Sequence, residues 1–473
     1  MKPKIVLYNP KAPYYTLPLP LLAISSVVDA EKYEIVVVDG RLMKDPYPLL
    51  REHLKNAVCF GVSVISGTPI KDSVKISKLV KKDFPGLPLI WGSWHPSIFP
   101  EHCITEGYAD ISVIGQGELT FLEILERLEK NDSLEGVLGC AYRSGNEVRV
   151  NERRKFVDIN NFPPYDYDLI PLEAYFKLKG RRQIDFYSSQ GCPYRCAFCS
   201  DPYVFNRRWS GLKGPRLLSD VFGVVKRYNA EDILFQDENF FANQKRALQF
   251  AEGVLVSGLH FSWVATSRAD QVVQLDDLML REIAQSNCRK IIIGAESGSQ
   301  EMLDRIKKDT LVEEAILSAE KLHRVGVGAL FNFIVGFPEE DFSSTLQTLK
   351  TIKEIKTIDE GFEFNIFFYT PYPGTELYNY LVQKDYLLPR TLEEWADIDF
   401  VRFSGYWVSE QERKYIERFK FYQKIRFRRN GNILLNTLSS LASLRCKHDY
   451  YGFPVEKEIG NFIRYKILNL ENW

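Results

Sequence analysis

At residues 189–199 the chain reads SQGCPYRCAFC, directly after a run of residues that predicts a β-strand. The three cysteines stand on one loop, so their thiolates can turn inward onto a single metal centre. A structural zinc site takes four ligands, and the sequence offers no other Cys or His near this loop. Iron–sulfur clusters take thiolate ligands, and a cubane held by three cysteines leaves one iron open for a small molecule. We therefore expect a catalytic cluster with Cys192, Cys196 and Cys199 as ligands; three ordinary buried cysteines are the alternative.

The segment around and after this loop alternates predicted strands with helical stretches. The predicted strands are Ile184–Ser188, Asp232–Phe235, Phe261–Ala265, Lys290–Ile293, Leu330–Val335 and Glu363–Phe368. Six strand–helix units are too few for a closed eight-fold barrel, but they fit a partial barrel with its active site at the carboxyl ends of the strands. The cysteine loop leaves the first of these strands at that end.

The first 130 residues alternate in the same way. The predicted buried parallel strands are Lys4–Tyr8, Tyr33–Asp39, Val58–Val64, Leu87–Trp91 and Asp110–Ile114. Amphipathic stretches such as Pro69–Lys82 and Glu118–Lys130 separate them. This pattern predicts an open, doubly wound, Rossmann-like sheet, in which ligands bind beyond the carboxyl ends of the strands.

Small residues follow three neighbouring strands of this predicted sheet. They are Gly61 and Ser63 after the third strand, Gly92 and Ser93 with His95 after the fourth, and Gly115 and Gly117 with Glu118 after the fifth. Small residues let a flat, bulky ligand approach the backbone closely, although tight strand-to-helix turns alone are the alternative. No GxGxxG fingerprint follows the first strand, which disfavours a plain NAD site.

The predicted architecture is α/β with four parts. They are the sheet domain at residues 1–135, a connector at 136–180, the partial barrel at 181–400 and a mainly helical C-terminal extension at 401–473. Within the connector, Val137–Tyr142 and Glu147–Val150 predict a hairpin. The following segment, residues 160–166, contains two prolines and is expected to be extended.

Composition excludes some classes of protein. The 473 residues carry a net charge of −1, so no whole-chain positive field exists to hold a nucleic acid. No apolar run approaches the roughly 18 residues of a membrane span, and no signal-peptide core follows Met1. We expect a cytoplasmic protein whose eight cysteines stay reduced.

One stretch near the C-terminus is basic and aromatic. Residues 413–430 contain eight Lys or Arg residues against the single acid Glu417, with aromatic residues interleaved. A basic amphipathic helix can lie on anionic lipid, which predicts peripheral membrane contact. The alternative is that the aromatic stripe packs across the barrel, since such stripes usually serve a core.

The cysteine loop resembles that of the radical S-adenosylmethionine (SAM) superfamily, because it has the spacing CxxxCxxC with Phe198 before the third cysteine. Further segments resemble the branch with an N-terminal cobalamin-binding domain, which includes class B methyltransferases and anaerobic cyclases. They are Phe235–Phe240, Thr266–Asp270, Ile293–Gly298, Phe333–Pro338 and Tyr369–Thr375. The resemblance covers roughly residues 1 to 400 and implies a [4Fe-4S] cluster, SAM and cobalamin as cofactors.

The resemblance also implies roles for particular residues. Phe198 would lie beside the cofactors, Asp237 and Glu238 would bind the methionyl amine of SAM, Glu296 its ribose, and Lys308 its carboxylate. Asp237 and Glu238 could instead cap the following helix, and Lys308 could be a solvated cation at a helix end.

The first domain departs from the cobalamin-binding pattern in several places. The DxHxxG motif that supplies a cobalt-binding histidine is absent from residues 9–20, so cobalt should lack that ligand. Residues 63–65 fit the SxL-like turn, but Gly92-Ser93 replaces a Gly-Gly pair, and Gly115-Gln116-Gly117-Glu118 replaces GEGE. His95 is expected to contact the cofactor's tail, with a structural histidine as the alternative.

The implied reaction is reductive cleavage of SAM to a 5'-deoxyadenosyl radical, followed by methylation of an unactivated carbon of a small-molecule or lipid-like substrate. An external electron donor such as flavodoxin or ferredoxin is expected. Relatives of the same architecture perform cyclisation, ring contraction or oxygen insertion instead. A methylthiotransferase would need a second cluster, which the distant Cys59, Cys103 and Cys140 do not suggest; a non-catalytic cobalamin-binding protein is the remaining alternative.

Overall fold

The computed structural model describes residues 2–398, 405–427 and 433–462. The first domain has a seven-stranded sheet. Its strands are β1 (Lys4–Asn9), β2 (Glu34–Asp39), β3 (Ala57–Ser63), β4 (Leu89–Gly92), β5 (Ile111–Val113), β6 (Cys140–Ser144) and β7 (Glu147–Val150). Its helices are α1 (Leu19–Val27), α2 (Tyr47–Leu54), α3 (Thr68–Asp83), α4 (Trp94–Ile98), α5 (Pro100–Thr105) and α6 (Glu118–Lys130).

The order of strands in this sheet is β2-β1-β3-β4-β5-β6-β7. Strands β1 to β5 pair in parallel, and the chain passes from one side of β1 to the other, which creates a switch point between β1 and β3. The predicted doubly wound sheet is thereby confirmed. The carboxyl ends of β3, β4 and β5, and the turns after them, carry the small residues predicted to form a ligand site.

The hairpin of β6 and β7 belongs to this sheet rather than to a connector. Strand β6 pairs antiparallel with β5, with Ile111 opposite Tyr142. Cys140, Ala141 and Tyr142 are buried in the process. The sheet therefore extends to Val150, beyond the boundary at residue 135 that the sequence suggested, because burying these residues favours pairing the hairpin with the exposed edge of β5.

The second domain is built on six parallel strands in the order β15-β14-β13-β12-β11-β8. These are β8 (Gln183–Phe186), β11 (Asp232–Phe235), β12 (Ser262–Arg268), β13 (Cys288–Glu296), β14 (Gly328–Val335) and β15 (Glu363–Phe368). Each strand lies beside the next one of the set, which is the arrangement of the predicted partial barrel. A two-stranded ribbon of β9 (Ser189–Gly191) and β10 (Trp209–Gly211) was not predicted; its strands are too short to show a pattern.

Helices connect these strands and continue to the C-terminal extension. They are α7 (Leu172–Lys179) in the connector, then α8 (Asp201–Val204), α9 (Gly214–Tyr228), α10 (Gln244–Val256), α11 (Ala269–Gln274), α12 (Asp277–Gln285), α13 (Gln300–Arg305), α14 (Val312–Val325), α15 (Phe342–Ile358), α16 (Glu376–Gln383), α17 (Leu392–Ala396), α18 (Glu410–Ile425), α19 (Ile433–Lys447) and α20 (Val455–Phe462). No described helix is long and apolar enough to cross a membrane.

The basic, aromatic stretch near the C-terminus forms most of α18. Ile416, Phe419 and Tyr422 are buried, and the ring of Phe419 lies 6.4 Å from that of Phe364 on β15. The aromatic stripe therefore packs on the barrel, as the second interpretation predicted, and nothing supports membrane contact by this helix. The basic residues 428 and 429 lie outside the described residues.

Helix α17 returns from the barrel to the first domain. Trp395 is 1% exposed, and its ring packs against Phe99 at 5.9 Å and against His95 at 6.2 Å. Other contacts between the domains include the Leu17 backbone N–H, which donates to the Asp185 carboxylate over 2.7 Å. These contacts set how the two open sheet ends face each other.

Replacing Trp395 with alanine should destabilise the protein by about 3–5 kcal/mol, because a large buried ring is lost and a cavity remains. Denaturant unfolding of the full chain would measure this. Leu387→Ala, at a side chain that is 77% exposed, is the control and should change stability by less than about 0.5 kcal/mol. A Trp395→Ala variant as stable as this control would contradict the proposed anchoring.

Candidate cluster and cofactor site

The three predicted cluster ligands differ in exposure from the other cysteines. Cys192, Cys196 and Cys199 are partly exposed, whereas the remaining five cysteines are buried. Burial raises the pKa of Cys192 to about 12, with Asp201 and the neighbouring Cys196 adding to the shift. Such thiols stay protonated at neutral pH unless a positive centre stabilises the thiolates, which an iron cluster does.

The sulfur atoms are not already gathered into a tight ligand set. Among the described residues, no three His, Cys, Asp or Glu side chains are arranged closely enough to hold a metal ion. The fit to a cluster therefore rests on the donor set, three partly exposed thiols on one loop. Sulfur donors of this kind suit iron–sulfur centres.

Asp237 fastens the strand that leads into the cluster loop. Its carboxylate accepts hydrogen bonds from the Ser188 backbone N–H (2.7 Å), the Ser188 hydroxyl (2.5 Å) and the Ser189 hydroxyl (2.6 Å). Arg246 supplies the opposite charge at 3.4 Å. Because these protein groups already engage both oxygens of a carboxylate that is 1% exposed, the structure gives Asp237 a positioning role and does not support the predicted contact with an amine. The helix-cap alternative is also wrong, since Asn243 caps α10.

Glu238, by contrast, faces open space and has a buried oxygen, Oε2, with no hydrogen-bonding partner in the described part of the chain. Asp201 is 2% exposed, and neither of its carboxylate oxygens has such a partner. Burial raises the pKa of Asp201 to about 7, and burial together with Asp201 raises the pKa of Glu238 well above its usual range. Asp201 is not among the site residues predicted from sequence, although an acid two residues after a cluster cysteine is a usable signal.

Glu296 and Lys308 form a buried ion pair at the end of β13. The Lys308 ammonium donates to Glu296 Oε1 over 2.8 Å. Lys308 is 5% exposed and Glu296 is 8% exposed. Burial alone would lower the pKa of Lys308, but the attraction of Glu296 and Cys196 leaves it raised. The interpretation of Lys308 as a solvated cation is therefore wrong.

The backbone around this pair is adapted to it. Glu296 has φ of +65°, a conformation that non-glycine residues rarely adopt outside functional sites. A Cβ atom at Gly294 would lie 2.5 Å from Glu296 Oε1 and 3.0 Å from Lys308 Nζ. A side chain at position 294 would therefore force the ion pair to shift.

Arg268, at the end of β12, joins the pair to the cluster loop. It donates to the backbone oxygens of Lys308 (2.6 Å) and Asp309 (3.1 Å). Its guanidinium stacks over the ring of Tyr194, 3.8 Å from the ring centroid. On the same loop, the ring of Phe198 lies 6.2 Å from that of Phe337. The cluster loop is thus held from two strands of the barrel.

A cavity of about 680 Å³, including its opening, lies between the two domains. We call it the main cavity. The sequence-predicted residues Gly92, Ser93, Gly115, Gly117, Glu118 and Glu238 line it, together with Tyr187 and Gln190 of the barrel. It adjoins a smaller space of about 330 Å³, the sheet chamber, lined by Gly61, Ser63 and Phe121. The structure therefore brings the ends of β3, β4 and β5 to two adjoining spaces, of which the main cavity faces the barrel.

The serine of the Gly92-Ser93 pair has φ of +82°. Glycine adopts this conformation without strain, which explains why Gly-Gly would be usual here. A Cβ atom on Gly92 would meet only the Cβ of Val113, at 3.7 Å. The space beyond Gly92 is open to a ligand.

His95 lies elsewhere. It is fully buried, its Nδ1 is 3.0 Å from the Ser66 hydroxyl, and it is absent from the walls of the main cavity and the sheet chamber. Burial lowers its pKa to about 3. The structure supports the alternative of a structural histidine over the predicted contact with a cofactor.

Gln116 bridges the two domains. Its side-chain amide donates to Gln190 Oε1 (2.8 Å) and to the Val157 carbonyl (3.1 Å), and it accepts from the Val157 N–H (2.8 Å). Gln190 in turn donates to Glu118 Oε1 over 3.3 Å. A carboxylate at position 116 could not donate, which accounts for glutamine in place of the glutamate of GEGE.

Comparison with known proteins agrees with this geometry. The family model of the radical SAM superfamily matches residues 186–352, so the chain carries a radical SAM domain. The structure of the cobalamin-dependent SAM radical enzyme OxsB, solved with aqua-cobalamin and SAM bound, aligns with a TM-score of 0.75 at 18% identity, covering 98% of this chain and 75% of that one. The chain therefore shares the fold of that enzyme.

Two further proteins are similar. The radical SAM methyltransferase TsrM from Kitasatospora setae, solved with cobalamin and a [4Fe-4S] cluster, aligns with a TM-score of 0.68 at 15% identity, over 81% of this chain and 75% of that one. An uncharacterized methyltransferase of Pyrococcus horikoshii is 28% identical over 450 residues, which are 94% of this chain and 93% of its own. Proteins named as methyltransferases are therefore among those that this chain resembles.

Changing Cys192, Cys196 or Cys199 to alanine should abolish cluster binding, because only three protein ligands hold the iron. Iron content and the cluster's charge-transfer absorption after anaerobic reconstitution would measure this. Cys288→Ala is the matched control and should keep both. A triple variant that still assembled the cluster would show that the ligands lie elsewhere.

Proposed function

We propose that this protein is a cobalamin-dependent radical SAM enzyme that methylates an unactivated carbon of a small molecule. The observation that carries the proposal is the main cavity. Glu238, next to the cluster loop, and the turns after β4 and β5 line the same space. Both predicted cofactor sites thus open onto one place where a substrate can meet both.

Within the barrel, the proposal assigns roles to buried charges. The unpartnered oxygens of Glu238 and Asp201 are suited to receive the ammonium group of the methionyl part of SAM, since a buried carboxylate without a partner is costly. Glu296 would bind the ribose, and Lys308, already beside it, the carboxylate. Arg268 would hold Lys308 and the cluster loop in fixed positions relative to each other.

In the first domain, the small residues after β3, β4 and β5 would hold cobalamin. These residues line the main cavity and the sheet chamber, which would together receive the cofactor. The loop after β1 supplies no histidine, and His95 is buried away from both spaces. We therefore propose that cobalt takes no histidine ligand from these segments.

The bound groups supply the chemistry that side chains cannot. An iron–sulfur cluster delivers one electron for the cleavage of SAM and cobalamin carries a methyl group, whereas alkyl hydrogens lie outside the reach of acid–base residues. What this chain contributes is position, charge and exclusion of water. Buried Glu118 and half-buried Gln190 lie where the first domain and the barrel meet at the main cavity. A soluble one-electron donor such as flavodoxin or ferredoxin would complete the system.

Enlarging Gly92 to tryptophan should weaken cobalamin binding by about tenfold or more, because the indole would occupy the cavity wall where the ligand approaches the backbone. Equilibrium titration with cobalamin would measure this. Gly86→Trp is the control, since Gly86 lies in the same domain with open space around it, and it should bind normally. Equal affinities in the two variants would place the cobalamin site elsewhere.

The reaction class can be tested with cell extract and SAM that carries a deuterated methyl group. The reconstituted enzyme should transfer the intact label to an acceptor found by mass, with one 5'-deoxyadenosine and one S-adenosylhomocysteine formed per methyl group. Both by-products are expected because the two uses of SAM differ. Formation of 5'-deoxyadenosine with neither label transfer nor S-adenosylhomocysteine would replace the methyltransferase by a cyclase, ring-contracting or oxygen-inserting enzyme.

A further inference from the structure

A second cavity adjoins the main cavity and has no part in the cofactor sites proposed above. We call it the connector cavity, because the segment between the two domains supplies much of its wall. It measures about 490 Å³ including its opening. Glu118, Tyr187 and Gln190 line both cavities. A molecule in the connector cavity would therefore reach the space where the two cofactors are proposed to meet.

The wall of the connector cavity is rich in rings. It includes Phe162, Pro164, Tyr165, Tyr167, Phe186 and Tyr187. Tyr167 is 1% exposed and donates its hydroxyl hydrogen to the Asp185 carbonyl over 2.9 Å, so its ring is fixed. Faces and edges of aromatic rings favour a flat π system as their partner. Residues 162–165, in the segment predicted from sequence only to be extended, thus form part of the cavity wall.

The cation in this wall, Arg216, is already paired. Its Nε–H donates to Asp220 over 3.2 Å, and its two amino groups donate to the carbonyls of Asn160 and Phe162. No other cation is among the described residues that line the cavity. An anionic ligand would therefore find no free positive charge, and an uncharged ligand fits better.

Polar groups stand at the junction with the main cavity. Glu118 is 4% exposed and accepts from Gln190; burial raises the pKa of this carboxyl group. The hydroxyl groups of Tyr165 and Tyr187 have no hydrogen-bonding partner among the described residues. These groups can bind one hydroxyl or carbonyl group of a ligand without requiring it to be charged.

We infer that the connector cavity binds the substrate, an uncharged molecule with a flat aromatic or conjugated ring and a hydroxyl or carbonyl group. The ring lies against the connector rings, the polar group lies at Glu118 and Gln190, and the carbon to be modified reaches the main cavity. The assignment of the ligand as the substrate rests on the proposed function, whereas the binding of a flat ring in this cavity is independent of it.

The test uses three probes and calorimetry on the anaerobically reconstituted full chain. 2-Naphthol should bind at least about tenfold more tightly than the saturated decahydro-2-naphthol, which lacks the π system, and than 2-naphthoate, which is anionic. No binding of 2-naphthol, or equal binding of all three, would overturn the inference.

Variants locate the site. Val224→Trp fills the cavity from α9 and should weaken 2-naphthol binding by about tenfold or more, whereas Val256→Trp, the same exchange at a side chain that is 87% exposed, should not. Tyr165→Leu removes one ring without filling the space and should lower the preference for 2-naphthol over its saturated analogue. Unchanged binding in both cavity variants would overturn the inference.

Cobalamin affinity and 5'-deoxyadenosine formation, measured on the same proteins, keep the two proposals apart. Cobalamin affinity should be retained in Val224→Trp, which also shows that this variant folds, and 5'-deoxyadenosine formation is judged on the parent protein alone. Their absence from the parent protein, with 2-naphthol binding intact, would refute the proposed function and leave the ring-binding site standing. If the parent protein binds cobalamin and forms 5'-deoxyadenosine, but neither cavity variant changes the binding of 2-naphthol, the substrate site alone would be refuted.

Discussion

The buried carboxylate of Asp237 holds the start of the cluster loop, and the rest of the site depends on it. Three hydrogen bonds from Ser188 and Ser189 converge on this one side chain, and Arg246 balances its charge. A buried charge of this kind is stable only while its partners stay in place, and removal of one partner typically costs about 3–5 kcal/mol. The strand that leads to Cys192 is therefore fixed before any cofactor binds.

From that fixed strand the constraint extends into the first domain. Gln190 lies between the Ser189 anchor and Cys192, and its side chain bonds both Gln116 and Glu118. A change in the turn after β5 would thus alter the contacts of Gln190, which is two residues before the predicted cluster ligand Cys192. The same contacts form the wall between the main cavity and the connector cavity, so the position of a cofactor and the shape of the space beside it are linked through one amide side chain.

Much of the fold could be predicted because its signals are local. Parallel strands buried on both faces read as short aliphatic runs, and the predicted strands 232–235 and 363–368 coincide with β11 and β15. The hairpin of β6 and β7 was recognised but assigned to the connector, because pairing with β5 is a long-range event that leaves no local pattern. The ribbon of β9 and β10 was not predicted for a related reason, since a strand of three residues is too short to show an alternating pattern of apolar and polar residues.

The sequence by itself determined the class of chemistry. Three cysteines at this spacing form a donor set that the order of residues alone specifies, and small residues after three strands predicted a ligand site at the sheet edge. Only the tertiary structure decided what individual polar residues do. Asp237 and Glu238 are adjacent in sequence, yet one is saturated by Ser188, Ser189 and Arg246 while the other retains an unpartnered oxygen. His95 follows Ser93 closely but is buried under Trp395, some 300 residues later in the chain. Burial and hydrogen-bond partners come from segments far apart in sequence, and they exist only once those segments have packed together.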